Sequence, residues 1–161
     1  FIHFESSDTK KTKKFSLSLI DIDEEQIPFD QLMNIPLSNK FKLNTEYINE
    51  ALADAEIYTD GIKIMIDPDK GCIFKTEGSI GEFEYVLEKD ELVFSELGNL
   101  CEGTFTIPKL KSVMKASNLA KQVTIAIDTE APLRLIFDLF GESSLIYFVA
   151  PRVESDTEVY D

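Results

Sequence analysis

The chain has no tryptophan, a single histidine and only two cysteines in 161 residues. Each scarcity closes off a kind of chemistry. His3 is the one imidazole, in a stretch that reads as a strand near a chain end. A nucleophile–histidine–acid arrangement would have to be built on it, and a peripheral strand histidine is the simpler account. Cys72 and Cys101 stand in separate segments. So sparse a set reads as structural thiols of a reduced, intracellular protein, not as a disulfide framework. No Cys/His cluster has zinc spacing. Neither the P-loop nor the dinucleotide-binding glycine pattern occurs. Asp67-Pro68-Asp69-Lys70-Gly71 opens like a calcium loop. It lacks an acid at the third ligand position and a closing Glu at the right spacing, so it reads as a turn. The carboxylate pairs Asp21/Asp23 and Glu24/Glu25 sit in a polar connector without a pocket, as solvated charges do. No apolar run approaches the length of a membrane span. Phe1-Ile2-His3-Phe4 passes at once into polar residues, unlike a signal peptide. These residues predict no enzyme, no metal and no cofactor.

One further absence is local. Between Gly103 and Ile127 there is no acidic residue, although the chain carries 30 Asp and Glu in 161 residues, a density that would place about five there. The same window holds Lys109, Lys111, Lys115 and Lys121. The net charge of −14 already keeps such a chain dispersed, so solubility does not call for this segregation. A basic helix on an acidic body predicts a polyanion held at one place and repelled elsewhere, and nucleic acid is the commonest such partner. The alternative is a solvated lysine face beside a chance gap in acids.

What is present is core-forming. Apolar residues make up 43% of the chain, with 12 Phe, which excludes a disordered composition. The length suits one ordinary domain, or one domain with a piece of another. Residues 1–5 and 14–20 alternate apolar and polar and predict two strands joined by a polar turn from Glu5 to Lys14. An acidic connector follows over 21–34 and contains Ile27-Pro28-Phe29. These apolar residues either dock something or pin the connector to its own domain.

From residue 39 the pattern repeats. A strand over 40–43 precedes a helix from Asn44 or Thr45 to about Ile57. Strands follow at 61–66, 72–75 and 82–87, and another at 92–94 leads to the second block. That block reads as a strand over 104–107, a helix from Pro108 to about Asn118, and strands at 122–127, 133–137 and 145–149. Pro108 suits the first helical position, where a missing N–H costs nothing. With Glu46 equivalent to Pro108, the helices match in pattern. Ile48, Ala51, Leu52 and Ala55 form one core stripe; Leu110, Val113, Met114 and Ser117 form the other. Opposite them lie Asn49 and Ala53 in the first helix, Lys111 and Lys115 in the second. The body is therefore read as two strand–helix–three-strand units, an α+β fold.

Four stretches now carry a resemblance. They are Phe15-Ser16-Leu17-Ser18-Leu19-Ile20-Asp21-Ile22-Asp23, Asn49-Glu50-Ala51-Leu52-Ala53-Asp54-Ala55, Ala131-Pro132-Leu133, and Leu145-Ile146-Tyr147-Phe148-Val149-Ala150-Pro151-Arg152-Val153-Glu154. In order and spacing this chain resembles the sliding DNA clamp family, proliferating cell nuclear antigen and its archaeal counterparts. The resemblance implies the DNA-clamp fold: duplicated β-α-β-β-β units with helices on one face of curved antiparallel sheets. It implies that residues 1–20 are the last hairpin of a mostly missing N-terminal clamp domain. Residues 21–34 would be the interdomain connector, 35–153 the C-terminal clamp domain and 154–161 an acidic tail.

The resemblance further implies a non-catalytic processivity factor, a head-to-tail ring of self or related subunits around duplex DNA. Its lining would include Lys11, Lys109, Lys111, Lys115 and Lys121. Partners would be DNA polymerase, clamp loader, nuclease and ligase, docking by short clamp-binding peptides in a pocket of Ile27, Pro28, Phe29, Pro132, Phe148, Ala150 and Pro151. Subunits would join through Phe15 and Leu17 on one side and Phe83 and Tyr85 on the other. The place of action would be the nucleus in a eukaryote, or the cytoplasm and nucleoid in an archaeon. Asn49 and Ala53 stand where family members often carry basic residues, with Glu50 and Asp54 beside them. That departure fits a divergent clamp, one subunit of a mixed ring, or a checkpoint-type subunit acting mainly as a protein-interaction module. A small enzyme is the remaining alternative.

Overall fold

The structure is a computed structural model that describes residues 2–8, 11–17 and 29–153. The chain divides into two compact units, residues 1–33 and 34–161. In the first, β1 (Ile2–Asp8) and β2 (Lys11–Leu17) form an antiparallel pair from Ile2↔Leu17 to Asp8↔Lys11. The expected turn from Glu5 to Lys14 is therefore too long, because ladder hydrogen bonds come from the backbone and extend through polar residues. A short helix, α1 (Phe29–Met33), lies inside the stretch read as connector. Ile27, Pro28 and the tail 154–161 fall outside the described residues.

The second unit contains β3 (Asn39–Asn44), α2 (Thr45–Ala55), β4 (Gly61–Asp67), β5 (Gly71–Gly78), β6 (Gly81–Glu88) and β7 (Phe94–Leu97). Then come β8 (Cys101–Thr106), α3 (Ile107–Met114), β9 (Gln122–Ile127), β10 (Leu133–Asp138) and β11 (Ser144–Val149). The last predicted strand before the second block moves from 92–94 to β7. Leu92 closes a 3-10 turn over Lys89–Glu91, and Val93 N–H reaches the Lys42 carbonyl at 2.8 Å, so pairing with β3 starts only there.

Two antiparallel sheets result, ordered β11-β10-β9-β3-β7 and β6-β5-β4-β8. Each repeat lends its first strand to the other repeat's sheet. β3 pairs with β9 from Asn39↔Ile127 to Asn44↔Gln122. β8 pairs with β4 from Gly61↔Thr106 to Ile66↔Cys101. The inward rows of these strands, Phe41 and Leu43, Ile62, Ile64 and Ile66, Phe105, and Val123, Ile125 and Ile127, are buried. They form one core with the buried helix residues Ile48, Ala51, Leu52, Ala55, Leu110 and Met114. Period two in the strands and 3.6 in the helices place apolar side chains on the same inner side.

The second helix differs from its expected span. The α-helix stops at Met114 and tightens into a 3-10 turn over Lys115–Asn118. With three residues per turn the core face advances, so Ala116 is buried while Ser117 turns toward α2. The Asn44 cap is also not made by its side chain. Instead the Lys121 carbonyl accepts from Thr45 N–H at 3.0 Å and from its hydroxyl at 3.2 Å. The first helix thus begins on a loop of the second repeat.

One turn and two thiols read from sequence find physical causes. Asp67 Oδ1 accepts the backbone N–H of Asp69 at 2.9 Å and of Lys70 at 3.3 Å, so the acid serves its own turn. Gly71 closes that turn at φ 124°, where a Cβ would press on the Leu87 carbonyl. Cys72 and Cys101 are both buried free thiols. Both pair in register with Ile66, one on each side of β4, two strand spacings apart and beyond disulfide reach. Burial pushes the Cys72 thiol up, and it raises Cys101 to about 11.

Because Phe105 is fully buried on an exchanged strand, Phe105→Ala should cost about 3–5 kcal/mol. Phe140→Ala removes a ring that is 93% exposed and should change stability by no more than about 0.5 kcal/mol. Urea midpoints of the two variants check the contrast.

Candidate nucleic-acid interface

The two helices lie side by side and turn their polar faces away from the core. Asn49 Nδ2 donates to Ser117 Oγ at 3.3 Å across the gap. Lys111 in α3 and Lys115 at the start of the 3-10 turn, four apart, are exposed on one flank of the helix beside the buried Leu110 and Met114. Lys109, also exposed, sits two residues before Lys111 and so roughly 160° around the helix from it, on the other flank. Lys121 is exposed beyond the 3-10 turn. It lines an open groove of about 650 Å³ between the helices, with Glu46, Asn49, Glu50, Ala53 and Asn118. The structure thus gathers Lys111 and Lys115 on one face, with Lys121 at the end of the groove, and sets Lys109 apart. Lys11 lies in β2, and its side chain is outside the described residues.

Sequence alone missed a partner for one of these cations. Lys111 Nζ donates to Glu56 Oε2 at 2.6 Å, both side chains about half exposed. Glu56 follows the last turn of α2, and no local pattern announces a pairing with a residue 55 positions away. Among the described residues Lys109, Lys115 and Lys121 make no ion pair. On α2 the exposed residues are Glu46, Asn49, Glu50, Ala53 and Asp54. The helix layer is therefore divided, acids on the first helix and free lysines on the second. It can attract a polyanion backbone along α3 and the following turn, and less so along α2.

A second cluster forms where β10 and β11 end. Leu133 pairs with Val149 and Arg134 with Phe148, so Pro132 and Ala150 adjoin at the open end of the pair. Leu145 and Tyr147 pack on the core, and Phe148 points to the outer face. Ile136 and Ile146 oppose each other on that same outer face, half-buried, and extend the apolar row. Strand alternation in 133–138 and 144–149 holds the signal for them. Pro151 lines a cleft of about 480 Å³ with Thr129, Glu130 and Arg152. The structure thus places Pro132, Phe148 and Ala150 at one end of the β10–β11 pair, with Pro151 next in the chain lining the adjoining cleft. Phe29 is 55% exposed in α1, in the other unit.

Two carboxylates hold the loops of this cluster. Asp128 Oδ2 accepts from Ser38 Oγ at 2.6 Å and Ser38 N–H at 3.1 Å, while its Oδ1 accepts Thr129 N–H at 2.8 Å. The hydroxyl of Ser38, followed by these backbone donors, lowers the Asp128 carboxyl below its ordinary range against partial burial. Asp60 is lowered likewise by the hydrogen-bonded Arg152 guanidinium.

The expected subunit-joining residues occupy the sheet edge. β6 is the outermost strand of its sheet among the described residues. Phe83 and Tyr85 point inward and pack against the core, Tyr85 with its ring 6.4 Å from that of Phe74. The exposed residues of that strand are Glu82, Glu84, Val86 and Glu88. What β6 offers outward is its backbone edge and this acidic row. Phe15 and Leu17 lie in β2 with side chains outside the described residues.

Comparison with known proteins agrees with this geometry. Residues 35–152 match the family described as proliferating cell nuclear antigen, C-terminal domain. A DNA polymerase sliding clamp of Methanococcus maripaludis is 28% identical over 150 residues, covering 89% of this chain and 58% of that protein. One from Thermococcus gammatolerans is 31% identical over 144 residues, 88% of this chain and 56% of that protein. One from Pyrococcus horikoshii is 29% identical over 145 residues, 89% and 57%. The chain spans somewhat more than half the length of these relatives. Among the described residues no group of acids, Cys and His could hold a metal ion. Among them, too, no helix is long and apolar enough to cross a membrane.

A depressed carboxyl stabilises the fold above its unfolded pKa, and that contribution is lost as pH falls through the folded value. The Asp128 latch should therefore be intact above about pH 4 and released below it. Thermal midpoints taken across this range should fall more steeply for the parent protein than for Asp128→Asn. Parallel curves would remove the latch from the account.

Proposed function

This chain belongs to the proliferating cell nuclear antigen family, through its C-terminal domain, and from that premise we propose that it works as part of a non-catalytic DNA sliding clamp. In this reading subunits join head to tail around duplex DNA inside the cell. They tether DNA polymerase, clamp loader, nuclease and ligase by short peptides. The chain contributes the connector, the C-terminal clamp domain and the last hairpin of the preceding domain.

The observation that carries the reading is the lysine face of α3 and its following turn, a segment that holds no acid of its own and lies on a helix layer pointing away from the sheets. Lysines on a smooth helix face are point charges. They meet phosphates without reading base edges, which is what a sliding contact requires. The names of the relatives, DNA polymerase sliding clamps, favour this over a checkpoint-type module. The peptide pocket is assigned, within the second unit, to Pro132, Phe148, Ala150 and Pro151, widened by Ile136 and Ile146. An apolar groove of this kind suits a helical turn with aromatic anchors. The β6 edge, supported from beneath by Phe83 and Tyr85, is the surface assigned to a neighbour's Phe15–Leu17 strand.

DNA association measured against salt concentration tests the central contact. Each lost phosphate contact lowers the slope of log affinity by about 0.9. Lys115→Gln and Lys121→Gln should each remove about one contact. Lys111→Gln should remove less, because that ammonium is already paired with Glu56. Slopes unchanged in all three variants would leave these lysines as solubility residues.

A further inference from the structure

The ladder between β10 and β11 ends at the pair Leu133↔Val149. Beyond it the chain runs through Ala150 and Pro151, and Pro151 has no N–H to give. Arg152 anchors the chain next, and it does so four times. Its backbone N–H donates to the Thr104 carbonyl at 2.7 Å, on the outer edge of the other sheet. Its Nε donates to Thr106 Oγ1 at 3.1 Å. Its two terminal nitrogens donate to the two carboxylate oxygens of Asp60, Nη1 to Oδ1 at 3.0 Å and Nη2 to Oδ2 at 2.6 Å. Space is kept for this fork: a Cβ on Gly61 would lie 2.9 Å from Arg152 Nη1.

Stability is a poor reason for so much anchoring. Both side chains are partly exposed, and ion pairs in water contribute little to folding. What the anchoring does fix is geometry. A planar, bidentate arginine–carboxylate pair sets orientation as well as distance. With Val149 in the ladder and Arg152 locked, the two residues between them have little freedom left.

We propose that Arg152 is a positioning residue for partner binding: its fork onto Asp60 holds the Ala150-Pro151 segment as a preformed lip of the peptide pocket. This rests on the pocket assignment made above. A preformed lip spares the partner the entropy of ordering it on binding. Asp60 is suited to the role because its own backbone is fixed, its carbonyl accepting the Ile107 N–H at 2.8 Å where α3 starts. The variant Asp60→Asn keeps that backbone contact, removes the charge and replaces one of the fork's two acceptor oxygens with an amide nitrogen that cannot accept.

The test is fluorescence titration of a labelled peptide, Gln followed by a spaced aliphatic and two adjacent aromatics, against the full chain and its variants. Arg152→Ala and Asp60→Asn should weaken binding about three- to tenfold, the scale of one net hydrogen bond. Arg152→Lys, which keeps the charge but loses the fork, should recover part of the loss. DNA association should be unchanged in all three. A purely structural role would lower thermal midpoints and leave the affinity of the folded protein as it was. Pro132→Glu serves as the control for the pocket. If it abolishes binding while Arg152→Ala and Asp60→Asn bind like the parent, the positioning role is overturned and the pocket stands. If Pro132→Glu also binds like the parent, pocket and positioning role fall together. Should Arg152→Ala not fold, Asp60→Asn and Arg152→Lys decide by the same criterion.

Discussion

The exchange of leading strands between the two repeats is the constraint on which the rest depends. β3 sits between β9 and β7, and β8 sits against β4, so each sheet is completed by a strand from the other repeat. Neither repeat can bury its inner face alone. The exchange also fixes where each helix starts, because each follows directly on an exchanged strand: α2 after β3, α3 after β8. Two helices forced to begin on crossed strands come to lie side by side on one layer. Their polar faces are then held outward by a shared core that includes Phe41, Leu43, Phe105 and Ile107. A lysine face there is rigid because everything beneath it is packed.

The same crossing gives single residues two duties. Asp60, in the loop between α2 and β4, accepts the first N–H of α3 with its carbonyl and holds Arg152 with its carboxylate. Lys121 caps α2 with its carbonyl and carries its ammonium at the groove between the helices. Backbone groups serve the fold while the side chains of the same residues serve the surface. Such double use is natural where loops from one repeat close onto helix ends of the other.

Much of this was legible in the sequence because it was periodic. The core stripe Ile48, Ala51, Leu52, Ala55 is buried as the helical spacing requires. The strand over 122–127 keeps its expected bounds. The likeness of the two units, and the clamp family itself, followed from ordered patterns. What was not legible depended on contacts far apart in the chain. The pairing of Lys111 with Glu56, the Arg152 fork onto Asp60 and the Asp128 latch onto Ser38 span 55, 92 and 90 positions. Local spacing carries no trace of them. Ser117 was misread for a different reason: a helix that tightens into a 3-10 turn changes its period, and a 3.6-residue count then points one residue too far. Ile136 and Ile146 were overlooked as outer-face residues because alternation shows two faces without showing which of them a partner meets.

The central claim is that the helix layer, not the outer surface of the sheets, meets duplex DNA. Site-specific photocrosslinking tests it directly. Ser112, exposed on α3 between Lys111 and Lys115, reports on the helix layer; Glu84, exposed on β6, reports on the sheet surface. With the clamp loaded on circular duplex DNA, a photoreactive group at Ser112 should crosslink to DNA and one at Glu84 should not. Crosslinking from Glu84 with none from Ser112 would contradict the account.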